Sequence, residues 1–189
     1  MRLLIASDIH GSARYCRQLL ERYDEEKAEK LVLLGDILYH GPRNDLPEEY
    51  GPKAVIAMLN ERKQDIICVR GNCDTEVDQM VLDFPIMSEE GIIFVDGHTF
   101  VLAHGHKLTG ASKPVLCAGD VLICGHTHIP KAEKQPVDAK DESSGTYLYI
   151  NPGSVSIPKE NSWHGYILYE NETFTMKDLS GEVKQMIGI

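Results

Sequence analysis

No apolar run in this 189-residue sequence approaches the ~20 residues needed to cross a bilayer. The first apolar stretch, Met1 to Ala6, is too short for the core of a signal peptide before Asp8 interrupts it. No C-x-x-C pair occurs among Cys16, Cys68, Cys73, Cys117 and Cys124. Their odd number and irregular spacing argue against a disulfide framework and against a thiolate zinc site. Reduced thiols and a cytoplasmic location are therefore expected. Positive charge is also scarce, with 19 Lys and Arg against 29 Asp and Glu, a formal net charge of −10. Such a surface repels polyanions, which disfavours general nucleic-acid binding, and nothing points to a membrane partner. No Pro, Ser or Gln tract and no internal repeat is present, and the length suits one domain, residues 1–189.

What is present is an ordinary globular composition, 42% hydrophobic and 25% charged. Arg2 to Ser7, Lys30 to Gly35 and Asp65 to Val69 read as short buried strands. Between them lie a helix from about Ser12 to Lys27, with Ala13, Cys16, Leu19, Leu20 and Tyr23 on one face, and a second helix carrying Val55, Met58 and Leu59. The Pro- and Gly-rich segment from Tyr39 to Pro52 reads as a long loop. This alternation predicts a parallel α/β core. The second half is β-rich. Ile92–Val95 and Thr99–Ala103 flank Asp96–Gly97, a dipeptide that favours a type I′ hairpin turn. Val121–Cys124, Thr146–Ile150, Gly165–Tyr169 and Thr173–Met176 are further strands, while the polar stretch 131–145 reads as a surface loop.

The polar residues follow the strands. Asp8 and His10 come after the first, Asp36 after the second and Asn72 after the third; His104 and His106 follow the hairpin, and His126 and His128 follow Val121–Cys124. Open α/β sheets deliver functional groups at the carboxyl ends of their strands. Carboxylate, imidazole and amide donors without thiolate suit Mn²⁺, Fe²⁺, Zn²⁺ or Ni²⁺. Asp36 is a natural bridge, because one carboxylate can serve two ions about 3.5–4 Å apart. Two divalent ions would bring the formal charge from −10 to −6 and concentrate positive charge at the site. Glycines 11, 35, 71, 105 and 125 allow tight turns beside these residues.

Taken singly, each motif has a plain structural reading: Asp8 and His10 as a helix cap and a surface histidine, Gly35–Asp36 as a turn. Taken in order, they resemble the calcineurin-like metallophosphoesterases: D-x-H (Asp8, His10), G-D (Gly35, Asp36), G-N-x-D (Gly71, Asn72, Asp74), H-G-H (His104 to His106) and G-H-x-H (Gly125, His126, His128). His40 to Asn44, Arg70 to Asp74 and Asn151 to Lys159 resemble, more closely, the YfcE-like bacterial phosphodiesterases. The resemblance implies an α/β fold, a four-layer αββα sandwich of two mixed sheets flanked by helices. It implies Asp8, His10, Asp36 and His128 on one ion and Asp36, Asn72, His104 and His126 on the other, with Mn²⁺ the foremost candidate. It also implies a small phosphodiester substrate, attacked in line by a hydroxide held between the ions, and it leaves a homo-oligomer open by analogy.

Within this pattern Asp36, Asn72, Cys73, Asp74 and His106 are the candidate catalytic residues, and Arg43 and Asn44 the candidate substrate-binding ones. Cys73 stands where most of the superfamily has a histidine that helps protonate the leaving group. A thiol, with an ordinary pKa of about 8.5, is a weaker acid-base match near neutrality, so esters with acidic leaving groups should react best. Asp74, lacking that imidazole, is left to orient backbone or an ion-bound water. His106 has two readings, contact with substrate or support behind a ligand. Arg43 and Asn44 reach either the substrate phosphate or a salt bridge within their loop. Asn151 to Ser154 either line the site or form a turn. Rival functions are a phosphomonoesterase or nucleotide hydrolase on the same site, and a non-catalytic interaction scaffold like the phosphoesterase-like subunit of the retromer coat.

Overall fold

The computed structural model describes residues 1–108 and 113–189. Its eleven described strands form two sheets packed face to face. In the first sheet the order is β11-β10-β9-β1-β2-β3, and in the second β4-β5-β6-β8-β7. The ranges in the first are β1 Leu3–Ala6, β2 Lys30–Leu33, β3 Ile66–Cys68, β9 Gly165–Glu170, β10 Thr173–Asp178 and β11 Val183–Gly188. Those in the second are β4 Glu90–Val95, β5 His98–Ala103, β6 Val121–Ile123, β7 Pro130–Pro136 and β8 Thr146–Pro152. Helices α1 (Ala13–Glu25) and α2 (Pro52–Asn60) connect the parallel strands β1, β2 and β3, as the alternation of patterns predicts. A four-residue helix, α3, spans Glu76–Gln79.

Side-chain alternation along β1 sets the layers. Leu3 and Ile5 point between the sheets against Phe100, Leu102, Ile123 and Ile150, whereas Leu4 and Ala6 face α1 and α2. Helix α1 starts where Ser12 Oγ accepts from the Tyr15 N–H at 3.3 Å, and it buries Ala13, Cys16, Leu19 and Tyr23. Asp96 and Gly97 both adopt left-handed φ, 51° and 87°, so the β4–β5 hairpin turns as the dipeptide predicts.

The two-sheet α/β sandwich is the expected fold, with two differences. Residues 131–145 are not all loop: β7 pairs with β8 in antiparallel register from Pro130↔Pro152 to Pro136↔Thr146. Lys131, Glu133, Lys134 and Gln135 give no apolar alternation, because an edge strand paired on one side tolerates polar residues on both faces. The edge strand β11, also largely exposed, is an addition of the same kind. On the outer face of the second sheet, Leu116 and Leu108 pack on Val101, Leu122 and Cys124. Among the described residues irregular chain, not an α-helix, forms this fourth layer. Also among them, no helix is long and apolar enough to cross a membrane.

The site's position follows from strand direction. The parallel strands β1, β2 and β3 of one sheet and β5, β6 and β8 of the other end at one edge of the sandwich. Their C-terminal loops therefore converge, carrying Asp8, Asp36, Asn72, His104, His126 and His128.

Candidate metal centre

Five of the seven expected ligands turn on a left-handed backbone: Asp8 (φ 60°), His10 (49°), Asp36 (55°), His126 (67°) and His128 (63°). Such conformations cost roughly 1–3 kcal/mol each and persist only where the surroundings fix them. Here they do. The hydroxyls of Ser154 and Ser156 donate to the Asp8 carbonyl at 2.8 and 3.1 Å, and the His126 N–H donates to Asp8 Oδ2 at 3.0 Å. Asn151 Nδ2 donates to the Gly125 carbonyl at 2.8 Å. The Asn151 to Ser154 segment therefore braces the ligand loops from behind.

Two glycines are required by space. A Cβ on Gly71 would meet Asp36 Oδ1 at 2.1 Å, and one on Gly125 would meet Ser7 Oγ at 1.9 Å. Neither has a positive φ, so close approach to the ligand loops, not turn geometry, explains them.

The imidazoles are oriented by backbone carbonyls. His10 Nδ1 donates to Tyr39 O, His104 Nδ1 to Leu34 O and His128 Nδ1 to Ile157 O, each at 2.7 Å. A carbonyl can only accept, so each Nδ1 carries a proton, and each ring turns its Nε2 to the site, where loss of the second proton leaves a lone pair for a cation. His10 Nε2 and His128 Nε2 lie 3.3 Å apart. His128 Nε2 is also 3.2 Å from Asp8 Oδ1, a buried oxygen without a hydrogen-bond donor. Converging lone pairs around an orphaned carboxylate oxygen fit a cation, and Asp8, His10 and His128 are mutually close enough to hold one.

A second group is formed by Asp8, Asp36 and His104. Asp36 Oδ2 lies 3.4 Å from His104 Nε2 and 3.7 Å from His10 Nε2, between the two groups, while Oδ1 accepts from the Cys73 N–H at 2.7 Å. Asn72 Oδ1 is 3.1 Å from His104 Nε2. The His126 ring stands edge-on to His104 with centroids 5.0 Å apart and lines the same cavity.

Electrostatics express the same demand. Burial opposes ionisation of Asp8, but the His10, His128 and His104 rings facing it override burial and hold the carboxyl well below its ordinary value. Burial likewise opposes protonation of His104, yet Asp36 and Asp8 push it up to about 9. A proton and a divalent cation compete for this negative site, so ion affinity should weaken as pH falls. His126 and His106 shift down, by burial first and then by repulsion from His104.

The remaining candidates separate. Asp74 is buried, and its carboxylate accepts from the backbone N–H groups of Asp36 (2.8 Å), Ile37 (2.9 Å) and Gly71 (2.7 Å). It positions the Asp36 loop and does not line the cavity. Cys73 does line it, with its thiol pushed up to about 12 by burial and then by the Asp36 carboxylate. His106 lines a smaller neighbouring cavity with Glu89, His104 and Leu108 and does not line the larger one that holds Asp36 and Asn72, which suits support more than substrate contact.

The cavity over these groups, about 400 Å³, is lined by His10, Asp36, Asn72, Cys73, His126 and His128 together with Arg43, Asn44 and Lys159. Arg43 makes no ion pair among the described residues, so a loop salt bridge is not its role there. Asn44 instead folds back, donating from Nδ2 to the His40 carbonyl at 2.8 Å. Lys159 is a cation that the sequence did not single out by itself. Its backbone N–H donates to the His128 carbonyl at 3.1 Å, which ties it to a ligand loop.

The sequence matches the calcineurin-like phosphoesterase superfamily domain over residues 1–173. It is 42% identical to phosphodiesterase YfcE of Escherichia coli strain K12 over 182 residues, covering 96% of this chain and 94% of that protein. The solved structure of the E. coli phosphoesterase YfcE superposes with a TM-score of 0.91 at 42% identity over the whole of both chains. Vacuolar protein sorting 29 of Cryptosporidium parvum shares the fold alone, with a TM-score of 0.62 at 14% identity, covering 100% of this chain and 98% of that one.

Proposed function

Because the chain belongs to the calcineurin-like phosphoesterase superfamily, we propose that it is a phosphodiesterase working with two divalent cations. The observation that carries the binuclear reading is Asp36 Oδ2, placed between His10 and His104. Asp8, His10, Asp36 and His128 would hold one cation, and Asp36, Asn72, His104 and His126 the other, with Mn²⁺ the first to try. When bound, such a pair supplies positive charge for the phosphate and lowers the pKa of a coordinated water.

The chain's own residues do the rest. Carbonyls of Tyr39, Leu34 and Ile157 keep three imidazoles in the donor tautomer the cations need. Arg43 and Lys159 offer positive charge to phosphate oxygens at the cavity wall. The Cys73 thiol stays neutral and is a weak proton donor to a departing alkoxide. The full ligand set, held at the cost of backbone strain, favours an enzyme over a scaffold.

The test is hydrolysis of bis(p-nitrophenyl) phosphate and of p-nitrophenyl phosphate by chelator-stripped protein, before and after Mn²⁺ is added back. Turnover should require the ion and should favour the diester. Faster hydrolysis of the monoester would support the monoesterase instead, and tight ion binding without turnover would support the scaffold.

Cys73 makes a separate prediction. Cys73→His should raise kcat/KM for alkyl diesters about 10²-fold or more while changing aryl diesters little, because only poor leaving groups need the proton. An unchanged dependence of rate on leaving-group pKa would remove the thiol from the account.

A further inference from the structure

Beside the catalytic cavity lies a second pocket of about 340 Å³, walled by Tyr39, Tyr50, Ile56, Val77 and Val81. Cys73 lines both, so the two spaces meet at one side chain. Tyr39 ties them further, since its carbonyl fixes the His10 ring while its side chain faces the pocket. Apolar side chains here are open to solvent, with Tyr39 and Val81 each 42% and Val77 68% exposed. Exposed apolar residues scattered singly need no explanation, but a concave cluster at the edge of an active site does.

The pocket's charge narrows the occupant. No Lys or Arg lines it, whereas Arg43 and Lys159 both line the catalytic cavity. Its one carboxylate is engaged, because Asp78 Oδ2 accepts from Thr75 N and Thr75 Oγ1, each at 2.8 Å. A second phosphate would find no counter-charge there, while an uncharged ring would find aromatic and branched aliphatic walls.

We infer that this pocket takes an apolar, aromatic alcohol substituent of the diester whose phosphate occupies the catalytic cavity. The assignment rests on the phosphodiesterase reading and narrows it to diesters carrying at least one aryl or similarly apolar group.

Calorimetric titration of the Zn²⁺-loaded chain with diphenyl phosphate and with dimethyl phosphate tests it. Diphenyl phosphate should bind about tenfold or more tightly, consistent with burial of one ring. Val77→Asp should erase that preference and leave dimethyl phosphate binding unchanged. Val77→Thr, which keeps the shape and adds one hydroxyl, should weaken the preference part-way. Equal affinity of the unaltered chain for both diesters would overturn the pocket assignment while leaving metal-dependent diester hydrolysis standing. Absence of that hydrolysis in the unaltered chain would overturn the phosphodiesterase reading and the assignment with it. A preference that survives Val77→Asp, while sedimentation shows an oligomer dissociating, would overturn the assignment in favour of a self-association face.

Discussion

Asp36→Asn is expected to lower kcat/KM for bis(p-nitrophenyl) phosphate about 10³-fold or more, with the fold intact. The substitution keeps the shape and one acceptor, so the amide oxygen can retain the hydrogen bond from the Cys73 N–H. What it removes is the negative charge and the second oxygen, and that oxygen is the atom facing His10 and His104. An amide nitrogen there has hydrogens and no lone pair for a cation. Both cations would lose a shared ligand at once, which exceeds the loss of a single charge-stabilising donor.

A second readout separates loss of charge from loss of structure. In the ion-free chain the His104 imidazolium, held up to about 9 chiefly against burial by Asp36 and Asp8, should titrate lower in Asp36→Asn. Because the folded pKa is raised, this group's contribution to ion-free stability is complete below the ordinary histidine value and is lost as pH rises through about 9. Ring-proton NMR across that range measures the shift. Undiminished Mn²⁺-dependent turnover in Asp36→Asn would end the bridging role.

Asp74→Ala is expected to be the most destabilising change near the site, by roughly 3 kcal/mol or more. Three buried backbone N–H groups, those of Asp36, Ile37 and Gly71, would lose their acceptor together. Each orphaned donor costs about 1–3 kcal/mol. Removing a carboxylate that burial already penalises returns part of this, since burial is what raises the Asp74 pKa. The sum still favours loss, because one side chain holds two loops in register. Activity should fall with stability, and kcat more than KM, because Asp36 would be displaced without losing its charge. Asp74→Asn should fail to rescue, as its NH₂ would face N–H donors. Urea denaturation measures the first effect and steady-state kinetics the second; a midpoint shift worth less than about 0.5 kcal/mol would show that water replaces the carboxylate.

The structure corrects the sequence where hydrophobic pattern is silent. Strands β1, β2 and β6 are buried on both faces and read as apolar runs. Strand β7 lies at an edge, where backbone pairing with β8 fixes it and the side chains carry no periodic signal. Lys159 is similar, an exposed lysine in sequence that becomes a cavity residue only because its loop is tied to His128.

By itself the sequence determined which residue types could bind cations and, through strand order, that they would meet at one edge of a sheet. Asp8, His10, Asp36, Asn72, His104, His126 and His128 are all legible because side-chain chemistry is written in residue identity. Only the tertiary structure decided how they work. The histidine tautomers depend on carbonyls of Tyr39, Leu34 and Ile157, which lie 29, 70 and 29 residues away in the chain. Asp74 supports the site because its carboxylate meets backbone donors from two loops. Backbone groups are identical at every position, so their roles have no sequence signature and appear only when the loops are brought together.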